Sequence, residues 1–233
     1  MSMSIERHSP LSPLPAEEAA PRATLSPTLS ETRIVAVLRA TDSRSCSSVI
    51  ATLVAAGIRS VELTLTTPGT LAALPRTVAD TPDAEIGVGT VLTEADARLA
   101  VAGGAKFLVS PGLRPGVFRA AHSTSTPIYP GAMTPTEVQN AWDLGAAAVK
   151  LFPAATLGPD YVRHLAGPFP QVKLMPSGGV LLEDIASWLR AGCVAVSLGG
   201  PLIGDALEGG SLRALRARAE RAVSAVQETR GDS

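Results

Sequence analysis

Leu144-Gly145-Ala146-Ala147-Ala148-Val149-Lys150-Leu151-Phe152-Pro153 passes a glycine and then runs apolar, with Lys150 as its single charge. From Ala146 onward the run has strand length and shows no alternation of polar and apolar residues. A strand of that kind is buried on both faces, as in a parallel sheet covered by helices. The opening phrase, a Gly leading into an apolar run, recurs along the chain. It appears as Ala56-Gly57-Ile58 before Ser60-Val61-Glu62-Leu63 and as Gly103-Gly104-Ala105 before Phe107-Leu108-Val109. It returns as Ala191-Gly192-Cys193 before Val194-Ala195-Val196, and the four glycines are spaced by 47, 41 and 47 residues. Each follows a segment of helical periodicity, where a left-handed residue would close the helix.

Further strand candidates lie at Arg33–Arg39, Glu85–Thr90, Pro127–Tyr129 and Gln171–Met175. Eight short apolar runs, each followed by a helix-length segment, predict an α/β fold of the (β/α)8 TIM-barrel type. A doubly wound open sheet is the alternative. Against it, no G-x-G-x-x-G follows the first strand and the spacing stays regular to the end.

The 233 residues suit one large domain, and with 45% apolar but only 3% aromatic residues the core must be built from Ala, Val, Leu and Ile. A net charge of −1 and no dense Lys/Arg cluster argue against nucleic acid as the partner and for a small molecule. No apolar stretch reaches the roughly 18 residues that span a bilayer, so no membrane partner is expected. Pro10, Pro13, Pro15, Pro21 and Pro27 stand among Ser, Ala, Glu and Arg with no apolar core. Residues 1–31 therefore read as a flexible Pro/Ser-rich extension rather than a secretory signal, with the barrel over residues 32–233. A short targeting or partner-binding segment is the other reading of that extension. Cys46 and Cys193 are too few and too far apart for a disulfide framework or a zinc site, which fits a reducing cytoplasm.

In a barrel of this kind the active site gathers at the carboxyl ends of the strands. Those ends carry hydroxyls and glycines with one acid, one lysine and one arginine, a polar pocket for a small oxygen-rich substrate. Strand alternation puts Glu62, Thr64 and Thr66 on one face, opposite Val61, Leu63 and Leu65. It likewise puts Ala148, Lys150 and Phe152 opposite Val149 and Leu151. Glu62 and Lys150 can thus meet inside the barrel. A buried ammonium is costly, and a lysine that sheds its proton near neutral pH can attack a carbonyl to form a Schiff base. The structural alternatives are a lysine snorkelling to solvent at a strand end and a buried ion pair with Glu62. Gly178-Gly179 follows the seventh strand candidate and Gly199-Gly200 the eighth, where backbone N–H groups can close around an anion.

Val61-Glu62-Leu63-Thr64-Leu65, Gly87-Val88-Gly89-Thr90-Val91, Ser110-Pro111-Gly112, Val149-Lys150-Leu151-Phe152-Pro153-Ala154, Gly167-Pro168-Phe169-Pro170 and Pro176-Ser177-Gly178-Gly179-Val180 together resemble the KDPG/KHG aldolases. These are class I aldolases acting on 2-keto-3-deoxy-6-phosphogluconate (KDPG) and 4-hydroxy-2-oxoglutarate (KHG). The resemblance runs in order from about Arg33 to about Leu207. It implies Lys150 as the Schiff-base lysine, Glu62 as general acid/base, and Thr90, Pro111, Phe152 and Ser177 around the substrate. Ser177, Gly178, Gly179, Gly199 and Gly200 would border the phosphate. A homotrimer of barrels using no metal and no cofactor is implied as well.

The chain departs from the family pattern at two positions. Many members have an Arg at the substrate-binding position of Thr66, where it holds the substrate carboxylate, and some have Ser in place of Pro201. Arg39 ends the neighbouring first strand and is the expected replacement cation. Two other readings remain beside the aldolase. One is a sugar-phosphate isomerase or epimerase using Glu62 as base without a covalent lysine; the other is a catalytically silent phospho-sugar binding protein. KDPG, its galactonate epimer and KHG share the pyruvyl half, so the residues do not choose between them.

Overall fold

The computed structural model describes residues 22–42 and 46–231. Of the expected extension over residues 1–31, residues 1–21 lie outside the described residues. Helix α1 (Pro27–Thr32) leads into β1 (Ile34–Leu38), α2 (Cys46–Ala55), β2 (Ser60–Thr64) and α3 (Thr70–Asp80). Next come β3 (Glu85–Gly89), α4 (Glu94–Ala102), β4 (Leu108–Ser110), α5 (Pro115–Ser123), β5 (Ile128–Ala132) and α6 (Pro135–Asp143). The chain continues through β6 (Val149–Leu151), α7 (Pro159–Ala166), β7 (Leu174–Pro176), α8 (Ile185–Arg190) and β8 (Val196–Leu198). A short turn of helix, α9 (Gly200–Ile203), and the long α10 (Leu212–Glu228) follow.

All eight strands are parallel, in the order β7-β6-β5-β4-β3-β2-β1-β8. The ring closes between β7 and β8 through the Ser177–Ser197 bridge and a bond from Val194 N to Leu174 O of 2.9 Å. Strands consecutive in sequence are neighbours in space throughout, so the chain is a (β/α)8 barrel and not a doubly wound sheet. The recurring glycines act as their spacing predicts. Gly57, Gly104, Gly145 and Gly192 take φ of 97°, 100°, 89° and 111°. In each case the next residue donates back five positions, as Ile58 N does to Leu53 O and Cys193 N to Trp188 O. This closes the helix and turns the chain into the next strand.

Side chains from alternate strand positions divide between two cores. Ile34, Ala36, Leu38, Val61, Leu63, Ile86 and Val88 point outward to the helices. Val35, Phe107, Val109, Tyr129, Ala148, Met175 and Ala195 fill the barrel interior. Phe107 and Tyr129 meet there with ring centroids 5.4 Å apart, and a Cβ at Gly87 would overlap the Phe107 ring.

Leu29 of α1 belongs to the interior core and is fully buried, so α1 plugs the amino-terminal mouth of the barrel. The folded part therefore begins earlier than the expected start at Thr32. Ser26 caps α1 and also donates to Glu85 Oε2 at 2.7 Å. Arg22 donates to Ala146 O and Trp142 O, at 3.0 and 2.8 Å, and lies 3.4 Å over the Trp142 ring. With the amino-terminal mouth shut, the open end of the barrel is the carboxyl end. No helix among the described residues is long and apolar enough to cross a membrane.

Candidate active site

A cavity of about 580 Å³ opens at the carboxyl ends of the strands. Glu62 and Lys150 line it together with Arg39, Thr90, Pro111, Phe152, Ser177, Gly178, Gly179, Gly199 and Gly200. Every site residue expected from the sequence lines this cavity except Thr66.

Lys150 is the central residue of β6, flanked in register by Gly131 and Met175. It points inward because Val149 and Leu151 occupy the outward face. It is 8% exposed, and its Nζ lies 5.2 Å from the centroid of the Phe152 ring. Gly131 is required beside it, since a Cβ there would overlap the carbonyl of Pro111.

Glu62 is the central residue of β2, between Val37 and Gly87 in register. It is 2% exposed, and a Cβ at Gly89 would overlap its carboxylate. Gly89 of β3 thus makes room for the side chain to lean across that strand. Oε2 of Glu62 is buried with no hydrogen-bond partner among the described residues. No ion pair within 4.0 Å joins Glu62 to Lys150 among the described residues, so the structural-pair reading loses its contact. A buried carboxylate oxygen left unpaired is costly, and such groups in native proteins usually serve a ligand or a reaction.

Thr90 follows β3 with φ 59°, a left-handed conformation that a β-branched residue adopts at a cost of about 1–3 kcal/mol. Bonds on both sides hold it, from Leu65 N to Gly89 O at 2.8 Å and from Val91 N to Val109 O at 3.0 Å. Gly178 and Gly179 are successive left-handed residues, φ 84° and 81°. A Cβ on them would lie 2.8 Å from the Phe152 ring and 2.5 Å from Ala155. Gly199 and Gly200 face open space. The two pairs thus differ: the first admits a close-packed turn, and the second presents bare backbone to the cavity.

Thr66 lies in an adjoining cleft of about 520 Å³ that shares only Thr90 with the main cavity. Its Oγ1 donates to Thr64 Oγ1 at 3.0 Å. Strand alternation placed Thr66 with Glu62, but β2 ends at Thr64 and the chain turns away before reaching it. Thr67 donates or accepts in the same hydroxyl cluster and receives Ala40 N at 2.9 Å, tying the segment after β1 to the one after β2. Arg39 stands in that segment, exposed at the cavity edge.

Pro201, noted in the sequence as a departure from the family pattern, lines the cavity too, whereas sequence reasoning missed Val37, Ile203, Gly204, Leu207 and Glu208. Val37 was accessible to it, since alternation places it two residues before Arg39 on the inward face. Residues Ile203–Glu208 had no such signal, because they approach the site from a return loop rather than from a strand end. Among the described residues, no group of three or more His, Cys, Asp or Glu is arranged to hold a metal ion.

The family model for KDPG and KHG aldolases matches residues 25–216. The chain is 36% identical over 174 residues to the 2-dehydro-3-deoxy-phosphogluconate aldolase of Dickeya dadantii, covering 74% of this chain and 82% of the relative. It is 35% identical over 173 residues to the KHG/KDPG aldolase of Escherichia coli, covering 73% of this chain and 81% of the relative. Among solved structures, native KDPGal superposes with a TM-score of 0.79 at 30% identity, over 85% of this chain and 96% of that one. The buried lysine and carboxylate of this barrel, and the glycine that makes room for the carboxylate, therefore stand in a chain that belongs to the KDPG and KHG aldolase family.

Proposed function

We propose that the protein is a class I pyruvate aldolase that cleaves KDPG to pyruvate and glyceraldehyde 3-phosphate, and KHG to pyruvate and glyoxylate. The observation that carries this reading is that Lys150 and Glu62, whose buried Oε2 has no partner among the described residues, line one cavity. Neutral Lys150 Nζ attacks the C2 ketone, and loss of water leaves a cationic imine. Glu62, directly or through a water, takes the proton of the C4 hydroxyl as the C3–C4 bond breaks. The bonding electrons move to the imine nitrogen and give an enamine, so no free carbanion forms. Glu62 then returns its proton to C3, and water releases pyruvate and the free amine.

Arg39 and Thr90 hold the pyruvyl carboxylate, with Arg39 standing in for the arginine missing at Thr66. Pro111 and Phe152 supply the apolar walls. Backbone groups of Gly178, Gly179, Gly199 and Gly200, beside Ser177, take the phosphate. The galactonate epimer of KDPG fits the same pyruvyl machinery and is the second substrate reading, supported by the likeness to KDPGal. An isomerase needs no lysine in the cavity, which disfavours that alternative.

We also propose a homotrimer. Leu92, in the loop before α4 and 43% exposed, and Leu99, on α4 and 59% exposed, are apolar groups suited to a subunit interface. Light scattering should give three times the monomer mass, and a monomer would reject the assembly. The buried free thiols Cys46 and Cys193 are compatible with a reducing cytoplasm.

Borohydride added with pyruvate tests the chemistry. The expected result is a stable adduct on Lys150; no adduct, or one mapped to Lys106 or Lys173, would reject the mechanism.

A further inference from the structure

Arg218 stands in the middle of α10, behind the cavity wall, and reaches the turn that follows β8. Its Nε donates to Leu202 O at 2.6 Å and its Nη2 to Ile203 O at 2.7 Å. These are the last two carbonyls of α9, which the short helix cannot satisfy itself. Gly204 takes φ 56°, and a Cβ there would lie 2.6 Å from Nη2, so a residue without a side chain is what admits the guanidinium. The opposite side of the same turn presents Gly199 and Gly200 to the cavity, with open space before them.

The chain has Pro201 on this wall, and proline brings neither a hydroxyl nor an N–H. Anion binding here therefore falls to main-chain amides. Glycine amides are the least constrained of all, and a donor stabilises an anion most when it is already held in place. Arg218 supplies that restraint from the side of the turn away from the cavity. Its planar fork engages two adjacent carbonyls at once, which a lysine cannot do.

We propose that Arg218 is the positioning residue of the phosphate subsite, fixing the Gly199-Gly200 turn so that its backbone can hold the substrate's terminal phosphate. This inference rests on the aldolase reading above and on its assignment of the phosphate to that turn. It makes Arg218 a determinant of phosphorylated over unphosphorylated substrates without contact to either.

The test is the condensation direction, with pyruvate and either glyceraldehyde 3-phosphate or glyceraldehyde as acceptor. Arg218→Met keeps the stem and removes both donors. It should raise KM for glyceraldehyde 3-phosphate about tenfold, while KM for glyceraldehyde and the rate of pyruvate trapping stay at the parent level. Arg218→Lys should shift the ratio of the two KM values in the same direction by less. A parent-like ratio, or an equal loss on both aldehydes, overturns the proposal in favour of plain structural support. Where Arg218→Met traps no pyruvate because its barrel has failed, the ratio measured on Arg218→Lys decides by the same criterion. An unsubstituted protein that forms no pyruvate adduct, or that does not prefer the phosphorylated aldehyde, overturns the underlying reading and this inference with it.

Discussion

Replacing Glu62 by Gln removes a proton-transfer group and a buried charge together, so activity and stability should move in opposite directions. Glu62 is 2% exposed, and its Oε2 has no partner among the described residues. A buried polar atom left unpaired costs about 1–3 kcal/mol, and more when it is charged. Gln retains the shape and drops the charge, so the ligand-free protein should gain about 1 kcal/mol, or about 2–4 °C in Tm for a chain of this size. Cleavage should slow by about 10²–10⁴-fold, the contribution of a positioned acid/base. Imine formation does not need the carboxylate at the bond-breaking step, so pyruvate trapping by borohydride should persist. The assays are pyruvate release coupled to lactate dehydrogenase, adduct mass, and thermal unfolding without ligand. Cleavage at the parent rate would refute the catalytic role. A fall in stability of about 3–5 kcal/mol would show a structural ion pair instead, since that is what breaking a buried pair costs.

Two further substitutions probe the cavity edge and the shell. Arg39→Lys should weaken pyruvate and KDPG alike by about 1.5–3 kcal/mol if the guanidinium holds the carboxylate, because lysine cannot reproduce two parallel bonds. A loss confined to KDPG, with KHG unaffected, would instead assign Arg39 to the phosphate, and parent kinetics on both would remove it from the site. In the shell, burial pushes His122 below its ordinary value, with a backbone bond at Leu144 opposing, and its Nε2 is buried without a partner. A depressed folded value means stability that is present above the unfolded value of about 6.5 and is lost as pH falls through the folded one. Urea midpoints at pH 7 and pH 5 should therefore drop further in the parent than in His122→Leu; equal drops would refute the assignment.

Lys150 and Glu62 were legible because each is the centre of a strand whose neighbours alternate cleanly, and alternation fixes the face. Thr66 was not, because the same rule was carried two residues past the end of β2. β5 runs from Ile128 to Ala132, longer than its sequence pattern, because it includes Pro130 and Gly131, types that normally mark a strand's end. Gly131 is required there because a Cβ would overlap the carbonyl of Pro111. β7 begins at Leu174 rather than near Gln171, since Gln171 and Lys173 stay at the surface. The plug helix α1 was missed for a different reason. Six residues starting with Pro27 are too short to show a helical period, and the prolines before them read as unfolded chain. The wall from Ile203 to Glu208 carries no period or motif that addresses the cavity, and only the three-dimensional return of the chain reveals it.

The position of each residue along its strand explains how a costly site survives in a barrel. Toward the amino-terminal mouth the interior is filled by Leu29, Phe107 and Tyr129, large and fully buried side chains. Toward the carboxyl mouth come Gly89, whose missing side chain leaves space for Glu62, and Gly131, which lets β5 pass the Pro111 carbonyl beside Lys150 in register. The first half supplies apolar burial, and the second half spends part of it on an unpaired carboxylate, a buried amine and a left-handed Thr90. Helix α1 completes this apolar floor by seating Leu29 in it, and close packing below is what can hold a costly upper layer in place. Loss of Leu29 would be felt first as a loosening of that floor under Glu62 and Lys150, well away from any substrate contact.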